Sequence, residues 1–310
     1  MNTFHQENPM RTSITRRAVP AITIAALVLA SCGSDAAEEV IETDEEAVTE
    51  AVEETTDEAA ADACSNTIED GVLTAATGNP AFFPWVIDDA PESGEGFEAA
   101  VVRAVADEMG FEGDALSWVR ADFDAAIEPG AKDFDLNIQQ FSITPERAEN
   151  IDFTLPYFTS NQAIVGLEGS AAEGATSIAD LKDVKFGAQA GTTSLAFITD
   201  VIQPTQDPFV YDDNVAAKAA LEANQIDAAV FDLPTALFVS AVEIEGSSVI
   251  GQFPADSGGD TDQFGMVLAK DSGLKPCIDA AIQTLTDDGT LAALTEQWLA
   301  DNTGAPVIAE

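Results

Sequence analysis

The run Phe141-Ser142-Ile143-Thr144-Pro145-Glu146-Arg147, followed by Ile151-Asp152-Phe153-Thr154-Leu155-Pro156-Tyr157, shows the plan of the chain. Phe134 to Ile138 is apolar enough for a buried strand. After it Thr144 suits a helix cap, Pro145 the first helical position and Glu146 the first turn. Arg147 then stands in that first turn. Beside free helix N–H groups and the hydroxyls of Ser142 and Thr144, its guanidinium makes a fork of donors suited to a carboxylate. The seven residues alone equally allow a surface arginine paired with Glu146 or Asp152.

Working outward, strands and helices alternate. Val72 to Thr77 reads as a strand that ends in the aromatic turn Gly78-Asn79-Pro80-Ala81-Phe82-Phe83-Pro84-Trp85. Phe97 to Met109 has apolar residues at helical spacing, Leu116 to Val119 is a strand, and Phe123 to Ile127 begins another helix. This rhythm predicts α/β architecture on parallel sheets, with ligands bound beyond the carboxyl ends of the strands. Asn79, Phe82, Trp85, Trp118, Gln139 to Ser142 and Arg147 all fall at that edge.

A second unit opens after Tyr157. Gln162 to Leu167 reads as a crossover strand, and Val184 to Gln189 as a strand leading into Gly191-Thr192-Thr193-Ser194, a small anion nest or a plain helix cap. Ala216 to Leu221 reads as helix. Ile226 to Asp232 reads as a buried strand whose last carboxylate either faces the edge or caps the helix beginning near Pro234. Phe264 to Lys270 is strand-like, and Leu274 to Leu285 and Leu291 to Leu299 are the last helices.

Ahead of these units lie Arg11, Arg16 and Arg17, an apolar run from Val19 to Ala30, and Leu29-Ala30-Ser31-Cys32. The run is too short to span a bilayer, which needs roughly 20 residues. It reads as an export signal over residues 1–31, and its end resembles the lipobox of bacterial lipoproteins, which implies cleavage before Cys32 and lipidation of that cysteine. Residues 32–63 hold thirteen acidic residues and no basic or aromatic one, a composition expected of an extended, disordered linker.

Composition narrows the function. Of 56 acidic residues thirteen lie in the linker and one is Glu7, leaving 42 against nine basic residues in Cys64–Glu310, a formal charge near −33. Nucleic acid and anionic membrane surfaces are poor partners for such a field. The only histidine is His5, inside the signal. With Cys32 lipidated, Cys64 and Cys277 remain, so no Cys/His metal site or nucleophile can be assembled, and no metal or cofactor is expected.

The order of these parts resembles the bacterial extracellular solute-binding proteins of family 3, the substrate-binding lipoproteins of amino-acid ABC importers. The marks are the Pro-rich aromatic turn, Gly96-Phe97-Glu98 before a helix, Ser142-Ile143-Thr144 with Arg147, and Phe153 with Pro156-Tyr157. Others are Gly191-Thr192-Thr193, Asp227-Ala228-Ala229 with Asp232, and Asp288-Gly289-Thr290 with Trp298. The resemblance implies a two-lobe, type II periplasmic-binding fold with two hinge crossovers that closes like a clamp. Lobe 1 would take residues 64–160 and 264–310, and lobe 2 residues 161–263. It implies that Arg147 holds a ligand α-carboxylate with Ser142, Thr192 and Thr193, and that Asp232 holds the α-ammonium. Phe82, Trp85 and Trp118 would pack on the ligand side chain, and Phe141 would offer its backbone. Since the family's last helices return to lobe 1, Cys64 and Cys277 are expected to be bonded, two free thiols being the alternative.

Asn79 stands where binders of cationic amino acids in this family carry an aspartate, and Gln139 and Gln140 stand where small residues are common. Read so, the pocket takes a neutral polar L-amino acid. The expected protein is a monomeric, lipid-anchored, extracytoplasmic binder that serves ABC permease subunits and is not an enzyme. The alternative on the same scaffold is a periplasmic cyclohexadienyl dehydratase-like enzyme, which needs a proton donor in the cleft.

Overall fold

The computed structural model describes residues 64–253, 262–299 and 305–309. The export signal, Cys32 and the acidic linker lie outside the described residues.

β1 (Leu73–Thr77) is buried throughout and runs into the aromatic turn. α1 (Phe97–Glu108) follows on Gly96, whose φ is +103° and where a Cβ would stand 2.5 Å from the carbonyl oxygen of Trp85, so only glycine fits. β2 (Leu116–Arg120) pairs parallel with one side of β1, α2 (Phe123–Ile127) intervenes, and β3 (Leu136–Asn137) pairs parallel with the other side. α3 (Pro145–Ala148) and β4 (Ile151–Phe153) end this half.

β5 (Phe158–Ser160) and β6 (Gln162–Leu167) carry the chain into the second half. There β7 (Phe186–Gln189), α4 (Thr193–Phe197), β8 (Phe209–Tyr211), α5 (Asn214–Glu222), β9 (Ala228–Asp232), α6 (Leu233–Phe238) and β10 (Ser247–Phe253) follow. β11 (Asp262–Phe264) returns beside β5 in an antiparallel ribbon, β12 (Val267–Ala269) re-enters the first sheet, and α7 (Lys275–Asp287) and α8 (Thr290–Leu299) supply core residues there with α1.

Two five-stranded sheets result, ordered β2-β1-β3-β12-β4 and β10-β6-β9-β7-β8, each with its own apolar core. This is a two-lobed α/β architecture. The sheets are mixed rather than wholly parallel: β12 runs against β3 and β4, and β6 against β9 and β10. A strand arriving from the other lobe enters at the carboxyl edge and so points the opposite way.

Cys64 and Cys277 are disulfide-bonded, with their Cα atoms 5.7 Å apart. Two expectations need correction. The strand read over Phe264 to Lys270 breaks at Gly265-Met266, because Phe264 pairs in the ribbon while Val267 pairs in the first sheet, and Gly265 N–H donates to the Phe141 carbonyl. The end of the chain, expected to stay with the first lobe, docks on the second. Val307 bridges to Gln252, Ala309 bridges to Ser177, and Ile308 is buried in the second core. The apolar Ile308 side chain finds its place over Gly251, where a Cβ would come within 2.5 Å of it.

Candidate functional site

A cleft of about 340 Å³ lies between the lobes. Arg147 reaches it from α3. Thr144 Oγ1 accepts the Arg147 N–H at 3.2 Å, the cap that the sequence predicted, with Pro145 at the first helical position. The side chain is buried, which excludes the surface-arginine alternative, and Asp152 instead meets Lys270 at 3.1 Å. Nη1 donates to the Ser142 carbonyl at 2.7 Å and Nη2 to the Gly191 carbonyl of the second lobe at 2.9 Å. These use two of five N–H donors. The guanidinium carbon lies 5.4 Å from the centre of the Phe123 ring, which stacks on Phe141. Burial lowers the Arg147 pKa, and Asp262, Asp124 and Glu146 oppose that shift.

From the second lobe, Thr192 caps α4 by accepting the Leu195 N–H at 3.2 Å, and Thr193 Oγ1 lies 3.1 Å from Ser142 Oγ across the cleft. Asp232 ends β9 and does both things the sequence allowed. Its Oδ1 accepts the Thr235 N–H at 2.9 Å, capping α6, and its side chain lines the cleft. Burial raises its pKa to about 6, against the opposing bonds from Thr235.

Asn79, Phe82, Trp85 and Gln140 also line the cleft. The Phe82 ring carries Lys218 Nζ at 4.6 Å from its centre. Trp85 is fully buried, set edge-on against Phe97, Phe158 and Phe264, and its Nε1 donates to Thr235 Oγ1 at 2.9 Å. Gln139 donates to Asn137 Oδ1 at 2.9 Å.

Trp118 and Phe141 do not line the cleft. Along β2 the side chains alternate, so Trp118 shares the face of Leu116 and packs on the first lobe's main core, two residues short of the strand end. Phe141 is buried and stacked on Phe123, and its carbonyl is taken by Gly265. Arg120 bonds Asp89 at 2.6 Å and the Gly78 carbonyl at 2.7 Å, and is not itself part of the cleft lining.

Several cleft residues escaped the sequence reading as binding candidates, among them Glu98, Phe123, Gln162 and the aspartates Asp122 and Asp124. Glu98 is fully buried at the start of α1 and accepts from Tyr157 Oη at 2.5 Å, from Gln140 N at 2.8 Å and from Gln140 Nε2. Burial raises its pKa to about 7, the bonds from Tyr157 and Gln140 lower it, and Asp232 adds to the rise. Gln140 itself has φ +51°, and the Glu98 carboxylate bonds both its backbone and side-chain nitrogen in that turn. The signal for Glu98 was its place after Gly96-Phe97. Phe123 follows β2 at its carboxyl edge, and Gln162 opens the crossover strand.

A guanidinium on one lobe and a carboxylate on the other thus line one cleft with polar walls, an arrangement suited to a small zwitterion. A family model for bacterial extracellular solute-binding proteins, family 3, matches residues 74–301, and the chain belongs to that family. It is 29% identical over 205 residues to the L-cystine-binding protein TcyJ of Escherichia coli (strain K12), a match covering 66% of this chain and 73% of that one. It is 27% identical over 209 residues to a probable histidine-binding protein of Campylobacter jejuni, covering 66% and 76%. The solved structure of an ancestral arginine-binding protein bound to arginine superposes with a TM-score of 0.62 at 28% identity, covering 74% of this chain and 98% of that one.

Proposed function

We propose that the protein captures a free L-amino acid outside the cytoplasm and delivers it to the permease of an ABC importer, without chemistry. One observation carries this reading: Arg147 of the first lobe and Asp232 of the second line a single cleft. The α-carboxylate lies against Arg147, Ser142 and Thr193, and the α-ammonium lies against Asp232, whose ionised form it favours. Lobe 1 takes 64–160 and 264–299, lobe 2 takes 161–253, and residues 305–309 dock on lobe 2. Lipidation at Cys32 anchors the monomer to the membrane. Among the described residues no helix is long and apolar enough to cross a membrane.

A neutral ligand side chain was expected because no carboxylate stood ready to meet a cation. The structure removes that premise, since Glu98 lies in the cleft wall and Asp122 and Asp124 line it near the surface. We therefore assign the side chain as cationic, with a neutral polar group second. Asn79 then offers a hydrogen bond and Phe82 an apolar face. Calorimetric titration with arginine, lysine, histidine, glutamine and glutamate tests this: a basic amino acid binds tightest, and tighter binding of glutamate than of every other overturns the assignment.

Glu98 gives the dehydratase reading one support, because its raised pKa keeps a proton in the cleft near neutral pH. Incubation with prephenate or arogenate decides it; the binding reading expects both to be recovered unchanged.

A further inference from the structure

Gln162 opens β6 where the chain passes into the second lobe, opposite Asp232 in the β6–β9 register. Its side chain is buried, lines the cleft and is bonded at both amide atoms. Oε1 accepts from Ser194 Oγ at 2.8 Å. Nε2 donates to Asp262 Oδ2 on the returning strand β11 and, at 3.4 Å, to Thr193 Oγ1. That same Thr193 oxygen is the one 3.1 Å from Ser142 Oγ.

A carboxylate oxygen accepts hydrogen bonds, so the contact with Asp262 Oδ2 fixes which end of the Gln162 amide donates. The polarity of the neighbouring hydroxyls follows. Ser194 spends its hydrogen on Oε1, whereas Thr193 accepts from Nε2 and keeps its own hydrogen for another acceptor. β11 is also in register with the loop that frames Arg147: Ile143 N–H donates to the Gln263 carbonyl at 2.8 Å, and Ser142 bridges to Phe264.

We propose that Asp262 and Gln162 form a positioning pair that aims the Thr193 hydroxyl, as a donor, at the α-carboxylate of the ligand. The inference rests on the reading of this cleft as the amino-acid site. The pair reads the hinge into the site, because Asp262 belongs to the strand by which the chain returns to the first lobe. With the amide reversed, Thr193 would turn its hydrogen toward Gln162 and meet the ligand carboxylate with lone pairs.

The test is the preference for an α-carboxylate over an α-carboxamide, measured by calorimetry with L-arginine, L-histidine and L-glutamine and their amides, alongside thermal melting. Loss of a bond to a charged group corresponds to about a tenfold change. Asp262→Asn and Gln162→Leu each lower the acid-over-amide preference by about that factor. The paired exchange Gln162→Glu with Asp262→Asn restores a bonded pair but denies Thr193 its donor, so its melting temperature recovers and its preference does not. Wild-type preference in the exchanged variant, or in both single variants, overturns the inference. Arg147→Ala separates the two levels: if no probe binds the wild type, or if Arg147→Ala keeps the full preference, the reading of the cleft falls and this inference with it. Loss in Arg147→Ala with no change in the pair's variants sinks the pair alone.

Discussion

Trp85 Nε1 donates to Thr235 Oγ1 at 2.9 Å, joining residues of opposite lobes where Trp85 lines the cleft. Thr235 is also the residue whose N–H caps on Asp232. A bond between lobes should break when they part, and Trp85→Phe keeps most of the apolar contact while removing the donor. A net hydrogen bond is worth about 1 kcal/mol, so the variant should bind the amino acid about fivefold more weakly, with the loss in faster dissociation. Stopped-flow release kinetics measure it, and an unchanged dissociation rate would show that the bond does not hold the clamp shut.

Arg147→Ala should weaken binding by at least about 30-fold, since truncating one member of a desolvated charge pair costs on the order of 2–5 kcal/mol. Arg147→Lys keeps the charge but lacks the planar fork that bonds both Ser142 and Gly191, and should recover only part of the loss. Calorimetry of the three proteins ranks them. Equal affinities would remove Arg147 from the site.

The buried carboxylates make the ligand-free protein and its complex respond oppositely to pH. Glu98 and Asp232 have folded pKa values of about 7 and about 6, raised by burial above their ordinary 4.5 and 3.8. The folded state therefore holds protons that the unfolded chain has released, so their contribution is fully present below about pH 4 and is lost as pH rises through 6 and 7. Glu98→Gln removes one of these groups, and denaturant melts should show it gaining on the wild type between pH 5 and 8. Ligand affinity moves the other way, rising over the same range as Asp232 ionises to receive the ammonium. A wild-type affinity that falls from pH 5 to 7 contradicts this.

The disulfide closes a loop between residues 213 apart in sequence. The chain-entropy account gives such a loop roughly 5 kcal/mol at most. Reduction, or Cys64→Ser with Cys277→Ser, should lower the denaturation free energy by a few kcal/mol without altering ligand selectivity. Alkylation without reductant followed by mass measurement checks the bond itself: two labelled thiols in the native protein would disprove it.

A formal charge near −33 on the folded part should make stability rise with salt. Raising ionic strength from 0.1 to 1 M shortens the screening length from about 10 to about 3 Å. Melting temperature should climb over that interval and then level off.

Much of this was legible in the sequence because the signals were local. Thr144-Pro145 announces a helix start whatever surrounds it, and Phe123 to Ile127 and Gln162 to Leu167 kept their predicted limits because turn residues bound them. β10 was missed, as its pairing with β6 and its cover by Ile308 come from far along the chain. The site divided in the same way. Asp232 ends a strand and Arg147 stands in the first turn of a helix just past one, positions that imply direction. Trp118 sits two residues inside a strand, where only the neighbouring core says which way it faces. Glu98 was read as part of a helix start because nothing in the sequence reveals that Tyr157 and Gln140 converge on it.

The docking of residues 305–309 means that the two ends of the folded part ride on different bodies. Cys64 is fastened through Cys277 to a helix of the first lobe, while Ile308 is sunk into the second. Dyes attached just before Cys64 and just after Ala309 would then sit on opposite arms of the clamp, and energy transfer between them would change as it opens and shuts. Sites beside Cys64 and Ala309 thus offer an optical gauge of ligand capture that leaves every residue of the cleft untouched.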